Sequence, residues 1–195
     1  MEKDLRSHWY LILGFFAFVG FLIYGASLGN AFVRWDDGLL IYENPAIRGI
    51  NFSNLKTIFT TYDPELYIPL TLLSYQFDFL VSGTNAAWYH LHSLVLHILN
   101  AVLVVGFIKL LTKNTWVSIL TGILFLIHPL NTEAVAWASG RKDLLSTLFF
   151  LLSTNLYLLR KKKWSLGCFA LGLLAKVTIL TLPAVFILIA LFKKQ

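Results

Sequence analysis

The sequence predicts an all-α fold, a polytopic transmembrane bundle of about six spans with a long first outer loop carrying short interfacial helices. Three observations predict it. Of the 195 residues, 57% are hydrophobic and only 13% charged, about half the charge of soluble domains. The apolar residues are gathered into six runs, broken by short polar stretches. Basic residues sit at the ends of those runs, where they orient a chain in a bilayer.

The runs follow in order. Trp9 to Leu28 is free of charge, and at about 1.5 Å per residue it covers one hydrocarbon core. It is too long for the apolar part of a cleaved leader, so it reads as a retained anchor. Residues 30–90 form an outer loop rich in polar groups and prolines. Within it Ser53 is positioned to cap a short surface helix that places Leu55, Ile58 and Phe59 on one face. Pro69 to Leu80 is more apolar but too short to span, and Gln76 and Asp78 interrupt it. Leu91 to Ile108 is the second span, closed by Lys109 and Lys113. Trp116 to Ile127 is the third, stopped by His128-Pro129. After the polar stretch Asn131 to Asp143, Leu144 to Leu159 is the fourth, ended by Arg160 to Lys163. Trp164 to Ala175 and Val177 to Phe192 are the fifth and sixth, divided by Lys176.

Alternation of six spans puts the N-terminus and all three later basic clusters, the last at Lys193 and Lys194, on one side. By the positive-inside rule that side is cytoplasmic, and both termini lie there. The outer loop and the Asn131–Asp143 stretch then share the opposite face. The net charge of +6 is accounted for by these flanks, so nucleic acid is not an expected partner. The single Cys168 forms no intrachain disulfide.

Three polar groups meet on the outer side: Asp36-Asp37 after the first span, the segment from His128 to Asp143, and Lys176. Carboxylates beside cations at a membrane surface suit chemistry on a lipid phosphate. Cations hold the phosphate as leaving group while a carboxylate takes a proton from an acceptor hydroxyl. The residue types alone go no further.

Four segments carry a resemblance. They read VRWDDGLLIYENPAI from residue 33, YIPLTLLSYQFDFLVSGTNAAWYHLHSLVLHILNA from 67, LFLIHPLNTEAVAWASGRKDLLST from 124 and LGLLAKVTILTLP from 171. In order and in position relative to the spans they resemble the membrane part of the O-mannosyltransferase family whose members carry tetratricopeptide repeats, within the C-type glycosyltransferases. The resemblance implies transfer of a sugar, mannose, from a polyprenyl-phosphate donor to a protein hydroxyl, outside the cytoplasm and without a metal or other cofactor. It implies that Asp36 and Asp37 supply the catalytic base, with Asp36 favoured. It further implies that His90, His128, Glu133, Arg141, Lys142 and Asp143 line the donor site and that Lys176 lies near the lipid phosphate. The chain departs from the family pattern at Ile68, where many relatives have Arg, and at Ala175, where relatives often have Ser. No period of about 34 residues follows the spans, so residues 1–195 read as a single membrane domain, an N-terminal fragment whose activity by itself is in doubt.

Plainer readings stand beside these. Asp36-Asp37 also suits a solvated loop pair beside a turn at Gly38, and Asp143 a helix start. Lys176 suits a turn residue whose stem reaches along apolar surface. His90 and His97 lie two turns apart and His92 faces away, so no zinc pair forms. For the whole chain, a non-catalytic carrier-binding protein and a transporter fragment are the alternatives, although no internal repeat supports the latter.

Overall fold

The computed structural model describes residues 9–61 and 66–192. The charges before Trp9, Asp63 and Glu65 of the outer loop, and the Lys193-Lys194 cluster lie outside the described residues. Among the described residues every regular element is helical. We number the α-helices α1 Trp9–Tyr24, α2 Phe52–Thr60, α3 Pro69–Ser82, α4 Ala86–Thr112, α5 Thr115–Ile127, α6 Thr132–Ala136, α7 Arg141–Leu158, α8 Lys162–Ala175 and α9 Leu182–Phe192.

Two stretches are long and apolar enough to cross a membrane, Trp9–Gly29 and Ala86–Thr112, and a third arises if α5 and the bent Pro129–Ala136 segment act together across a 50° turn. Val177–Phe192 is a shorter apolar stretch. The protein is a membrane protein on this ground. The second span is longer than its apolar run suggested, because Asn85 caps α4 by accepting from Ala87 N–H and the helix runs on to Thr112. Lys113 then stops it in the left-handed conformation.

The bundle axis is set by α4. Phe16 and Gly20 of α1 pack against Gly122 of α5 and Ile98 of α4, at a place where glycine permits close approach. His97 in α4 lies 3.0 Å from the Leu126 carbonyl of α5 and edge-on to Tyr24. The helix α7 runs parallel to α4, because Arg141 meets Tyr89 near both N-termini and Asn155 meets Leu103 farther along. Ser153 and Ser165 exchange hydrogen bonds of 2.7 and 2.8 Å to each other's carbonyls, which zips α7 to α8 in antiparallel fashion. Phe186 of α9 stacks on Tyr157.

The elements between α1 and α4 cover one end of this bundle as a second apolar cluster built on Leu40, Ile41, Ile47, Ile58, Leu72 and Tyr75. The helix α2 is capped by Asn51, whose side chain accepts from Asn54 N–H. The expected cap, Ser53, instead lies inside the helix, where its carbonyl accepts from Thr57 Oγ1. Asn51 prevails because its extended backbone suits the cap position. The apolar stretch from Pro69 becomes α3, which is tied to α8 by the Thr71 hydroxyl bonding the Ala175 carbonyl at 3.0 Å. Gln76, an interruption in sequence terms, is buried and donates to the Gly49 carbonyl at 2.8 Å.

Candidate active site

The first span ends in a tight turn at Gly25–Gly29, and the chain then crosses the end of the bundle in extended form before winding into a wide turn at Gly38–Tyr42. Asp36 and Asp37 sit just before that turn. Opposite them, the Ala138–Gly140 turn leads directly into α7, and this corner brings Ser139, Arg141, Lys142 and Asp143 to the same place.

The two acidic residues are held differently. Asp37 is 1% exposed. Its Oδ1 accepts from Ser139 N–H at 2.9 Å and from the Ser139 hydroxyl at 2.5 Å, and its Oδ2 accepts from Val33 N–H at 3.0 Å. Asp36 keeps a side chain 38% exposed and pairs with Lys142 Nζ at 2.6 Å. The ammonium of Lys142 also lies 5.3 Å from the centre of the Trp137 ring, a favourable cation–π placement. One residue along α7, Asp143 pairs with Lys176 at 2.5 Å, and both remain partly exposed. The structure thus gathers Asp36, Asp37, Lys142, Asp143 and Lys176 from three segments of chain into one end of the bundle.

A cavity of about 880 Å³ adjoins this cluster, with Asp37, His90, Glu133, Trp35 and Trp137 among its walls. His90 is buried, while Glu133 is exposed in the first turn of α6. His128 takes no part in the walls of this cavity. Its Nδ1 accepts from Leu130 N–H at 3.3 Å, so it caps the turn that follows α5.

Arg141 turns inward. It is fully buried and paired with Asp78, also fully buried. Its Nη2 donates to the Tyr89 carbonyl at 2.9 Å, and its guanidinium lies over the rings of Tyr75 and Tyr89 at 4.7 and 5.5 Å. Tyr75 in turn donates its hydroxyl to the Ala138 carbonyl at 3.1 Å. Burial pushes the Tyr75 phenol up, so it stays a neutral donor. Among the described residues no cluster of three or more His, Cys, Asp or Glu is placed to hold a metal ion.

The chain is 34% identical over 142 residues to the protein O-mannosyl-transferase TMTC1 of Homo sapiens, a match covering 68% of this chain and 16% of that protein. It is 35% identical over 155 residues to the protein O-mannosyl-transferase Tmtc2 of Drosophila melanogaster, covering 75% of this chain and 16% of the relative. The chain belongs to the TMTC protein O-mannosyl-transferase family. To human TMTC2 it is 36% identical over 135 residues, covering 62% and 16% of the two chains. The chain therefore spans about a sixth of the length of these relatives. No family model and no solved structure matches it.

At this candidate site of a TMTC-family chain, the sequence reading passed over Asp78, Tyr75 and Ser139 as site residues. Asp78 carried a signal: a carboxylate inside an apolar helix is costly unless paired, and α3 places it within 2.8 Å of His92 Nδ1 as well as against Arg141. Ser139 carried none, because a serine in a turn is ordinary.

Proposed function

We propose that this protein transfers mannose from a polyprenyl-phosphate carrier to a protein Ser or Thr hydroxyl. One observation carries the reading: in a chain of this family, the acidic pair of the first outer loop and the basic corner at the start of α7 lie within direct bonding distance. Asp36 is the base. Its carboxylate is partly exposed and pairs with Lys142 through one oxygen, whereas both oxygens of Asp37 are engaged by the backbone and by Ser139. Asp37 holds the loop and orients its neighbour. The acceptor hydroxyl loses its proton to Asp36 as its oxygen bonds to the sugar's anomeric carbon. The bond from that carbon to the carrier phosphate breaks at the same time. Lys142 and Lys176 neutralise the departing phosphate, and the cavity walled by His90 and Glu133 receives the sugar. His128 and Asp143 act on this region indirectly, by shaping the turn after α5 and by holding Lys176.

The same reading gives six spans, α1, α4, α5, α7, α8 and α9, in a C-type glycosyltransferase arrangement. The site lies outside the cytoplasm and both termini inside it. One arrangement supports this: the parallel course of α4 and α7 sends Lys109, Lys113 and Arg160 to the end away from Asp36.

The test is transfer of labelled mannose from polyprenyl-phosphate mannose to a Ser/Thr-rich polypeptide in reconstituted vesicles. Asp36→Asn should lower the rate at least 100-fold and leave carrier binding within about threefold. Absence of transfer by the unaltered protein, or full activity of Asp36→Asn, overturns the reading.

A further inference from the structure

We propose that Asp78 is a positioning residue: through Arg141 it sets the Ala138–Lys142 corner, so that Ser139 and Lys142 meet the acidic pair. Asp78 lies on α3, in the outer loop, far in sequence from that corner. Its carboxylate is fully buried and its partner guanidinium is fully buried as well. Every direction around Arg141 is filled from within the protein. Asp78 and the Tyr89 carbonyl engage its Nη atoms, Ser74 lies 3.4 Å away, and the Tyr75 and Tyr89 rings cover its faces. Its Nε has no hydrogen-bond partner among the described residues, but the side chain is wholly enclosed and out of reach of a substrate phosphate, and its rigid fork is suited to fixing geometry.

The geometry it fixes is local and specific. Arg141 is the first residue of α7, Ser139 is two residues before it, and Lys142 is the next residue along the helix. Tyr75, one turn before Asp78 on α3, bonds the Ala138 carbonyl at 3.1 Å. One face of α3 therefore grips this corner at two points, and the corner grips Asp36 and Asp37 at two more, through Lys142 and Ser139. His92 approaches Asp78 from α4 at 2.8 Å and completes the clamp. A buried ion pair adds little stability compared with an apolar pair of the same shape. Its distinctive contribution here is the register of α3 against α7. The catalytic consequence rests on the transferase reading; the positioning does not.

The double variant Asp78→Leu/Arg141→Met removes both charges without leaving either one buried alone. Amide exchange is followed across the chain. The Ser139 N–H is the reporter, because it donates to Asp37 Oδ1. Expected is at least tenfold faster exchange at Ser139 with α4 and α5 as protected as before. With it, mannosyl turnover at saturating donor should drop at least tenfold while carrier affinity stays within about threefold. Unchanged Ser139 exchange, whatever the turnover, would overturn the positioning role, and faster exchange with full turnover would overturn its catalytic consequence. If the double variant does not fold, Asp78→Asn takes its place in the same comparison and against the same outcomes. A protein that transfers no mannose in any form would refute the transferase reading, and Ser139 exchange alone would still decide the role of Asp78.

Discussion

Both oxygens of Asp37 are taken up by hydrogen bonds within the protein, while Asp36 next to it faces a lysine and open space. Two adjacent, chemically identical side chains are thus held differently by their surroundings alone, and the proposed mechanism gives the first a structural and the second a reactive role. Removing the Ser139 hydroxyl tests the first role. Ser139→Ala takes one donor from a buried carboxylate and should cost about 1–3 kcal/mol, read as a lower midpoint of thermal unfolding in detergent. Lys142 tests the second. Lys142→Met removes the cation beside Asp36 and should reduce mannosyl transfer more than tenfold, and Lys142→Arg should restore part of it, measured with the same labelled donor.

At the scale of elements, glycine governs how closely the helices approach. A Cβ on Gly172 would come within 2.2 Å of Ile179 Cδ1 and 3.1 Å of Phe149 Cβ. Gly172→Ala should therefore overpack the α7–α8 contact and destabilise the protein by about 1–3 kcal/mol, seen as earlier unfolding. Gly140 is tighter in a different way, since its Cβ would meet the Ala134 backbone at 2.8 Å, and backbone does not move aside as a side chain does. Gly140→Ala should shift the corner that carries Ser139 and Lys142, which amide exchange at Ser139 would report. The two long apolar helices, Trp9–Gly29 and Ala86–Thr112, were legible from their apolar runs, because lipid imposes that pattern directly. The caps were less so. Ser53 and Asn51 both have the right chemistry, and only the backbone conformation at Asn51 decides between them.

For the whole molecule, Asp36 pairs with Lys142, and Lys176 with Asp143, at the same end of the bundle. The resemblance named them, and the fold supplies the contacts. The inward turn of Arg141 was not legible. In sequence it is one of two adjacent cations, and its burial depends on Asp78, more than sixty residues earlier. Helical periodicity predicts faces, not which distant element arrives to cover them.

The central claim is that the acidic loop and the basic corner face the same water, away from the Arg160–Lys163 turn. Single cysteines at Thr84, Leu130 and Lys161, all exposed positions, in a Cys168→Ser background, can be labelled with a membrane-impermeant thiol reagent added to one side of sealed vesicles. Thr84 and Leu130 should react together from one side and Lys161 only from the other. Thr84 and Leu130 reacting from opposite sides would contradict the account.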